Sequence, residues 1–165
     1  MRRLFLSFVS SFCAILVWGQ PAHADMVSDA AASYAKYLQQ RQSANSLSAF
    51  SPYLSQEMID ARTNYINSFA AKKGASEGDV EKLLIERTKY AESCIGTRDF
   101  KGGTASGTNK VVLTYGFNDQ CAAPDSIKAS IEEVTMVMEN GSWKVSQISA
   151  RPETPQQIKK VIPLK

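Results

Sequence analysis

The chain has 165 residues, of which 44% are hydrophobic and 21% charged, and this composition is typical of one globular domain with a sizeable core. Its formal net charge is +3. Two of its basic residues stand in the first three positions, and no basic stripe interleaved with aromatic residues follows them, so we expect no nucleic-acid partner.

The first 24 residues have the parts of a secretory signal peptide. Arg2 and Arg3 form a positive start, residues 4–18 form an apolar run, and Ala22-His23-Ala24 forms a cleavage motif. The run is shorter than the roughly 20 residues of a membrane-spanning helix, and no later stretch approaches that length. We therefore expect an exported protein, periplasmic or secreted, without a transmembrane segment after cleavage. An uncleaved anchor is the alternative.

Residues 25–150 are predicted to form a single domain that begins with three helices. Apolar residues at intervals of three and four indicate a first helix over residues 27–42. Ser55 can cap a second helix that runs to residue 73, and Ser76 opens a third, to residue 93, with a pattern similar to a capping box. Arg62 and Arg87 fall on the apolar stripes of the second and third helices.

Strands are predicted in the second half of the domain, where the helical period ends. They are expected near residues 94–100, over residues 110–118 and over residues 126–139, with a last strand to residue 150. Val112, Val137 and Ile148 are expected to form a sparse apolar patch on the outer face of the sheet. Residues 151–165 contain three prolines and are expected to leave the sheet as a C-terminal tail.

Asn140-Gly141 carries the strongest local signal in the chain. This dipeptide is typical of a type I′ turn, because both residues accept a positive φ. A two-residue loop fixes the register, so Met138 is predicted to pair with Trp143, and Met136 with Val145. A bulge at residues 146–147 is expected, since the apolar residues of the last strand cannot otherwise share one face.

Cys94 and Cys121 are the two cysteines that follow the signal peptide. In an exported protein they are expected to form a disulfide, whose loop would stabilise the fold by roughly 3 to 4 kcal/mol on the chain-entropy model. Metal ligation is the weaker alternative, because no further ligands stand at metal-site spacing. We therefore predict no metal site and no cofactor.

Three helices followed by an antiparallel sheet that ends in residues 133–145, EVTMVMENGSWKV, resemble the nuclear transport factor 2-like superfamily. The hairpin is similar to that of small exported bacterial members of unassigned function. The resemblance implies an α+β fold in which N-terminal helices pack on a curved, cone-shaped antiparallel sheet. It implies no active residue, because the superfamily includes enzymes, binding domains and parts of secretion machines.

Enzymes of the superfamily that the chain resembles use a His-Asp pair, or an Asp base with a Tyr donor, in the cavity between helices and sheet. The first arrangement is absent from the mature chain, since its only histidine, His23, lies in the signal peptide. The second requires an internal acid, for which Asp99 and Asp119 are the candidates. Both also suit exposed turns. We therefore predict no catalytic residue.

The predicted ligand site consists of Arg62, Arg87, Tyr65, Tyr115 and Trp143. An arginine on an apolar stripe must extend its head to water, pair with an acid such as Glu86, Glu92 or Glu133, or bind the anion of a ligand. The aromatic residues suit a pocket wall or a plain core.

The function expected from these features is an exported, non-enzymatic domain that binds a small molecule or a protein partner. One alternative is a structural subunit of an envelope complex, or a homodimer, that pairs through the outer sheet face. The other alternative is a His-free isomerase or dehydratase.

Overall fold

A computed structural model describes residues 23–124 and 128–153 of the chain. In these residues three α-helices precede a four-stranded antiparallel sheet, which confirms the predicted α+β class. The helices are α1 (His23–Ser43), α2 (Gln56–Lys73) and α3 (Glu77–Cys94), and the strands are β1 (Asp99–Ser106), β2 (Lys110–Asn118), β3 (Ala129–Glu139) and β4 (Ser142–Pro152). Two short 3-10 turns, Leu47–Ala49 and Ser51–Tyr53, connect α1 to α2. The strands are neighbours in chain order.

The starts of α2 and α3 are fixed by the predicted caps. Ser55 Oγ accepts a hydrogen bond from the Met58 amide at 3.2 Å, and Ser76 Oγ accepts one from the Asp79 amide at 3.1 Å. Helix α2 ends at Gly74, whose φ of 64° lies in the left-handed region that favours glycine. The predicted bounds of both helices are therefore confirmed to within a residue.

The core lies between α1 and the inner face of the sheet. Its buried residues come from every second position of β2, β3 and β4 and from one side of α1. Among the largest are Tyr34, Leu113, Tyr115, Met136 and Trp143. Gly103 of β1 allows α1 to approach closely, since a Cβ at this position would lie 2.6 Å from Val27 Cγ1.

The β3–β4 hairpin has the predicted turn and register. Asn140 and Gly141 have φ angles of 50° and 74°, and Met138 pairs with Trp143. The predicted bulge is also confirmed, because the pairing shifts between Thr135 and Met136 and leaves Ser146 without a partner residue. Beyond the bulge Ile148 lies opposite Val134 and packs against the core. Ile148 therefore faces inward, and its predicted place on an outer apolar patch was wrong.

Two strand boundaries differ from the prediction. Strand β1 does not end near residue 100 but runs through Gly102 and Gly103 to Ser106, because these glycines accommodate a register shift and the close approach of α1. Strand β4 continues to Pro152, beyond the predicted start of the tail at residue 151. The Glu153 amide extends the pairing by donating to the Ala129 carbonyl at 2.8 Å.

Several predictions lie outside the described residues. They are the signal peptide up to residue 22, residues 125–127 and the tail from residue 154. Among the helices that the structure describes, none combines the length and the apolar character needed to cross a membrane.

Candidate functional site

The five residues predicted to line a ligand site do not meet in the structure. Tyr115 and Trp143 are buried in the core between α1 and the sheet. Tyr65 is 46% exposed on the outside of α2, where its ring stacks on Phe69 at 5.7 Å. Arg87 is exposed on α3, and Arg62 and Trp143 line two different clefts.

The prediction that Arg87 lies on the buried side of α3 was wrong. Leu83 and Ala91, which are spaced four residues from Arg87 and so share its apolar stripe, are exposed, whereas Ile85 and Glu92 are buried. The buried face is therefore rotated by about one residue, or roughly 100°, around the helix axis. The physical cause is the burial of the polar Glu92, which apolar periodicity does not indicate.

Glu92 belongs to a buried ion network that joins α1, α3, β3 and the segment before β1. Its members are Tyr34, Arg41, Glu92, Arg98 and Glu132. Arg98 donates to both Glu92 oxygens, at 2.8 and 3.0 Å, and its Nε donates to Glu132 Oε1 at 3.0 Å. Arg41 Nη1 lies 3.0 Å from Glu92 Oε1, and Tyr34 Oη donates to Glu132 Oε1 at 2.7 Å.

The network balances its charges in a buried place. Glu92 and Glu132 are only 7% and 3% exposed, and two arginines offset them. Burial, reinforced by the charge of Glu132, raises the pKa of Tyr34 and of Tyr115, so both phenols stay protonated and neutral. Burial opposes the charge of Arg98, but the hydrogen bond to Glu92 and the charge of Glu132 prevail and raise its pKa.

Both oxygens of Glu132 face donors inside the fold, since Arg98 Nη2 lies 3.5 Å from Oε2. Tyr34 and Arg98 both donate to its Oε1, and the clefts described below are lined by other residues. The predicted acids are not inside the core. Asp99 is exposed, and Asp119 accepts a hydrogen bond from the Cys121 amide at 2.9 Å in a turn. The network connects α1, α3 and β3 with the segment before β1.

A disulfide fixes the segment that carries Arg98. Cys94 at the end of α3 is bonded to Cys121 in the turn after β2, as predicted, and the Gln120 amide donates to the Cys94 carbonyl at 2.8 Å. Cys94, Asp119 and Cys121 are the one group in the described residues with three metal-ligand types close together, within 4.8 Å. The two sulfurs are bonded to each other, so the disulfide explains the group.

The cleft that contains Arg62, here called the Arg62 cleft, lies between α2, the 3-10 turns and the start of α3. Its volume is about 460 Å³. The apolar lining residues are Leu47, Leu54, Ile59 and Ile66, and the polar ones are Ser46, Ser48, Ser51, Arg62, Thr63 and Glu81. The cleft therefore combines an apolar surface with one basic and one acidic side chain.

Arg62 lines the cleft, and at least one of its hydrogen-bond donors has no acceptor. Its guanidinium lies over the Phe50 ring, with Cζ 5.2 Å from the ring centroid. Nη1 is buried and has no hydrogen-bond partner, and no other buried side-chain nitrogen or oxygen in the described part of the chain is in this state. A buried donor without an acceptor costs about 1–3 kcal/mol. Arg62 thus lines the cleft with a guanidinium charge that no acid of the described residues pairs with.

Glu81 is fixed at another wall of the same cleft. Its Oε1 accepts a hydrogen bond from the Leu47 amide at 2.8 Å. It forms no ion pair with Arg62, and the described residues offer its second oxygen no donor. The cleft therefore contains two opposite charges that form no direct ion pair with each other.

Two other clefts have less specific chemistry. One, of about 440 Å³, lies beside Asp99, Lys101 and Gln120, and the other, of about 470 Å³, lies between α1 and the β3–β4 turn. Neither contains a buried polar side-chain atom without a partner, among the residues that the structure describes. The Arg62 cleft is therefore the best candidate for a functional site.

Sequence reasoning found Arg62 but missed the ion network. Glu132 shares the inner face of β3 with Val134 and Met136, so its position in the alternation was a signal of a buried acid. Arg98 stands in an irregular segment before β1, where no periodicity indicates which way a side chain points. Compared with protein-family models, curated proteins and solved structures, the chain gives no match.

Proposed function

We propose that the protein is an exported, non-enzymatic binding domain, and that the Arg62 cleft holds the carboxylate of a small, partly apolar molecule. The observation that carries this proposal is the guanidinium of Arg62, which lines the cleft over the Phe50 ring, forms no ion pair with an acid of the described residues, and has a buried Nη1 without an acceptor. Guanidinium groups bind carboxylates through charge-assisted hydrogen bonds, which are stronger than neutral ones. A carboxylate in the cleft would pair with this guanidinium, with which no acidic side chain of the described residues forms an ion pair.

The shape and lining of the cleft support the same proposal. Its volume of about 460 Å³ lies within the roughly 300–1,000 Å³ of small-molecule sites. Leu54, Ile59 and Ile66 supply an apolar surface for the body of the ligand. The Phe50 ring holds the guanidinium in place before a ligand arrives, which reduces the entropy that binding would cost.

We also propose that the protein is exported and that it belongs to the nuclear transport factor 2-like superfamily. The disulfide suits an oxidising compartment, and the first 24 residues have the pattern of a signal peptide. The order of three helices and an antiparallel sheet, closed by the hairpin of residues 133–145, supports membership in the nuclear transport factor 2-like superfamily. Assembly through the outer sheet face stays a prediction, and two of its three apolar residues, Val112 and Val137, are not in the core.

Isothermal titration of the purified protein with 4-methylpentanoate tests the proposal. This probe joins one carboxylate to an aliphatic body, and we expect a dissociation constant on the order of 1 mM or lower, given its few atoms. Arg62→Gln should weaken binding at least about tenfold, because a charge-assisted hydrogen bond is lost. Arg87→Gln is the matched control, since Arg87 is exposed and lies outside the cleft, and it should leave the affinity unchanged.

Two results would overturn the proposed function. One is the absence of measurable heat with the unaltered protein at millimolar probe. The other is an equal affinity of the Arg62→Gln variant and the unaltered protein. Near-ultraviolet circular dichroism of both variants shows whether each retains the native packing of its aromatic core.

A further inference from the structure

The charges of Arg62 and Glu81 limit which small molecules can bind in the Arg62 cleft. Arg62 and Glu81 both line the cleft, yet their side chains are not within ion-pair distance of each other. Each is anchored by a different neighbour, Arg62 by the Phe50 ring and Glu81 by the Leu47 amide. Their separation is therefore maintained by the surrounding fold.

Fixed opposite charges select a ligand that carries the complementary charges. A simple carboxylate would satisfy Arg62 but would leave Glu81 facing a like charge, which is unfavourable. A simple amine would satisfy Glu81 and be repelled by Arg62. A molecule with a carboxylate and an ammonium group satisfies both walls at once.

The third part of the cleft is apolar. Leu54, Ile59 and Ile66 line it beside the charged pair, and they can remove an aliphatic chain from water. The serines and Thr63 at the cleft add hydroxyl groups, but Thr63 already donates to the Ile59 carbonyl at 3.0 Å, and Ser46 and Ser48 bond to each other at 2.8 Å. The apolar surface and the two charges thus carry the selectivity.

We infer that the ligand is a free α-amino acid with an aliphatic side chain, an inference that rests on the proposed carboxylate site. Arg62 binds the carboxylate, Glu81 binds the ammonium group, and the side chain packs on the apolar wall. Binding is reversible and involves no covalent step.

Three related probes test the inference by titration calorimetry on the unaltered protein. L-leucine carries both charges, 4-methylpentanoate lacks the ammonium group, and L-leucinamide lacks the carboxylate. We expect L-leucine to bind at least about tenfold more tightly than either analogue, because each analogue forfeits one charge-assisted contact.

A substitution at Glu81 tests binding of the ammonium group separately from binding of the carboxylate. Glu81→Gln keeps an oxygen that can accept from the Leu47 amide, so the local fold is preserved. It should lower the affinity for L-leucine to about that of 4-methylpentanoate and should not weaken binding of 4-methylpentanoate. Glu86→Gln, on the exposed side of α3 and outside the cleft, should change neither affinity.

The outcomes distinguish the inferred amino-acid ligand from the proposed carboxylate site. If L-leucine binds no more tightly than 4-methylpentanoate, or if Glu81→Gln weakens both equally, the amino-acid inference is overturned and the carboxylate site stands. If no probe binds, the proposed function falls as well. The probe series needs no variant, so it decides the inference even if Glu81→Gln does not fold.

Discussion

Arg98 and Arg62 are withdrawn from water in opposite ways. Arg98 donates to the carboxylates of Glu92 and Glu132, and their negative charges offset the positive charge that it buries. Arg62 rests on an aromatic ring and has a buried donor without an acceptor. An arginine whose side-chain nitrogens all form hydrogen bonds, such as Arg98, has a structural role. An arginine with a buried donor that lacks an acceptor, such as Arg62, is a candidate for ligand binding.

Tyr34 gives the ion network a measurable dependence on pH. Burial raises its pKa above that of an unfolded tyrosine, which is about 10, so its contribution to stability is complete below about pH 10 and is lost as the pH rises above that value. The free energy of unfolding should fall by up to about 1.4 kcal/mol per pH unit for this group.

Tyr34→Phe isolates this effect. At pH 7 the variant should be less stable by about 1–3 kcal/mol, because Glu132 loses a buried hydrogen bond. Above pH 10 its stability should decline less steeply than that of the unaltered protein, as measured by urea unfolding at several pH values. Parallel curves for the two proteins would show that Tyr34 is not held neutral by its surroundings.

The ends of helices and the β3–β4 turn were predictable because each depends on a short stretch of sequence. The caps of α2 and α3 and the Asn140-Gly141 turn depend on one or two residues, and the structure confirms them. The orientation of α3 was not predictable, because it depends on the pairing of Glu92 with arginines that are distant or irregular in sequence. Apolar periodicity cannot represent a buried charge whose partners come from other elements.

The β3–β4 turn can be tested through its glycine. Gly141 has a φ of 74° and no atom near the position of a Cβ, so Gly141→Ala should cost about 1–2 kcal/mol through backbone conformation alone. Gly78→Ala is the contrasting control, since Gly78 lies in α3 with only Ser76 Oγ nearby, and it should stabilise the protein by about 0.5 kcal/mol. Urea unfolding measures both, and a neutral Gly141→Ala would argue against a type I′ turn.

At the scale of the whole molecule, the candidate site lies away from the inner face of the sheet. The sequence suggested an aromatic pocket beside the hairpin, but Tyr115 and Trp143 pack into the core with α1. The Arg62 cleft is formed by α2, the 3-10 turns and α3, which come together only in the tertiary structure. Sequence periodicity placed Arg62 on a buried stripe, but it could not indicate that Glu81 lines the same cleft.

Chemical-shift mapping by 1H–15N nuclear magnetic resonance tests the location of the site most directly. On titration with L-leucine or, should that not bind, 4-methylpentanoate, we predict the largest shifts at the Arg62 Nε–H and at the backbone amides of Leu47, Ile59 and Thr63. The indole N–H of Trp143 and the amide of Tyr115 should stay in place. Shifts centred on Trp143 and Tyr115, or on Val112 and Val137 of the outer sheet face, with Arg62 unmoved, would contradict the assignment of the Arg62 cleft as the binding site.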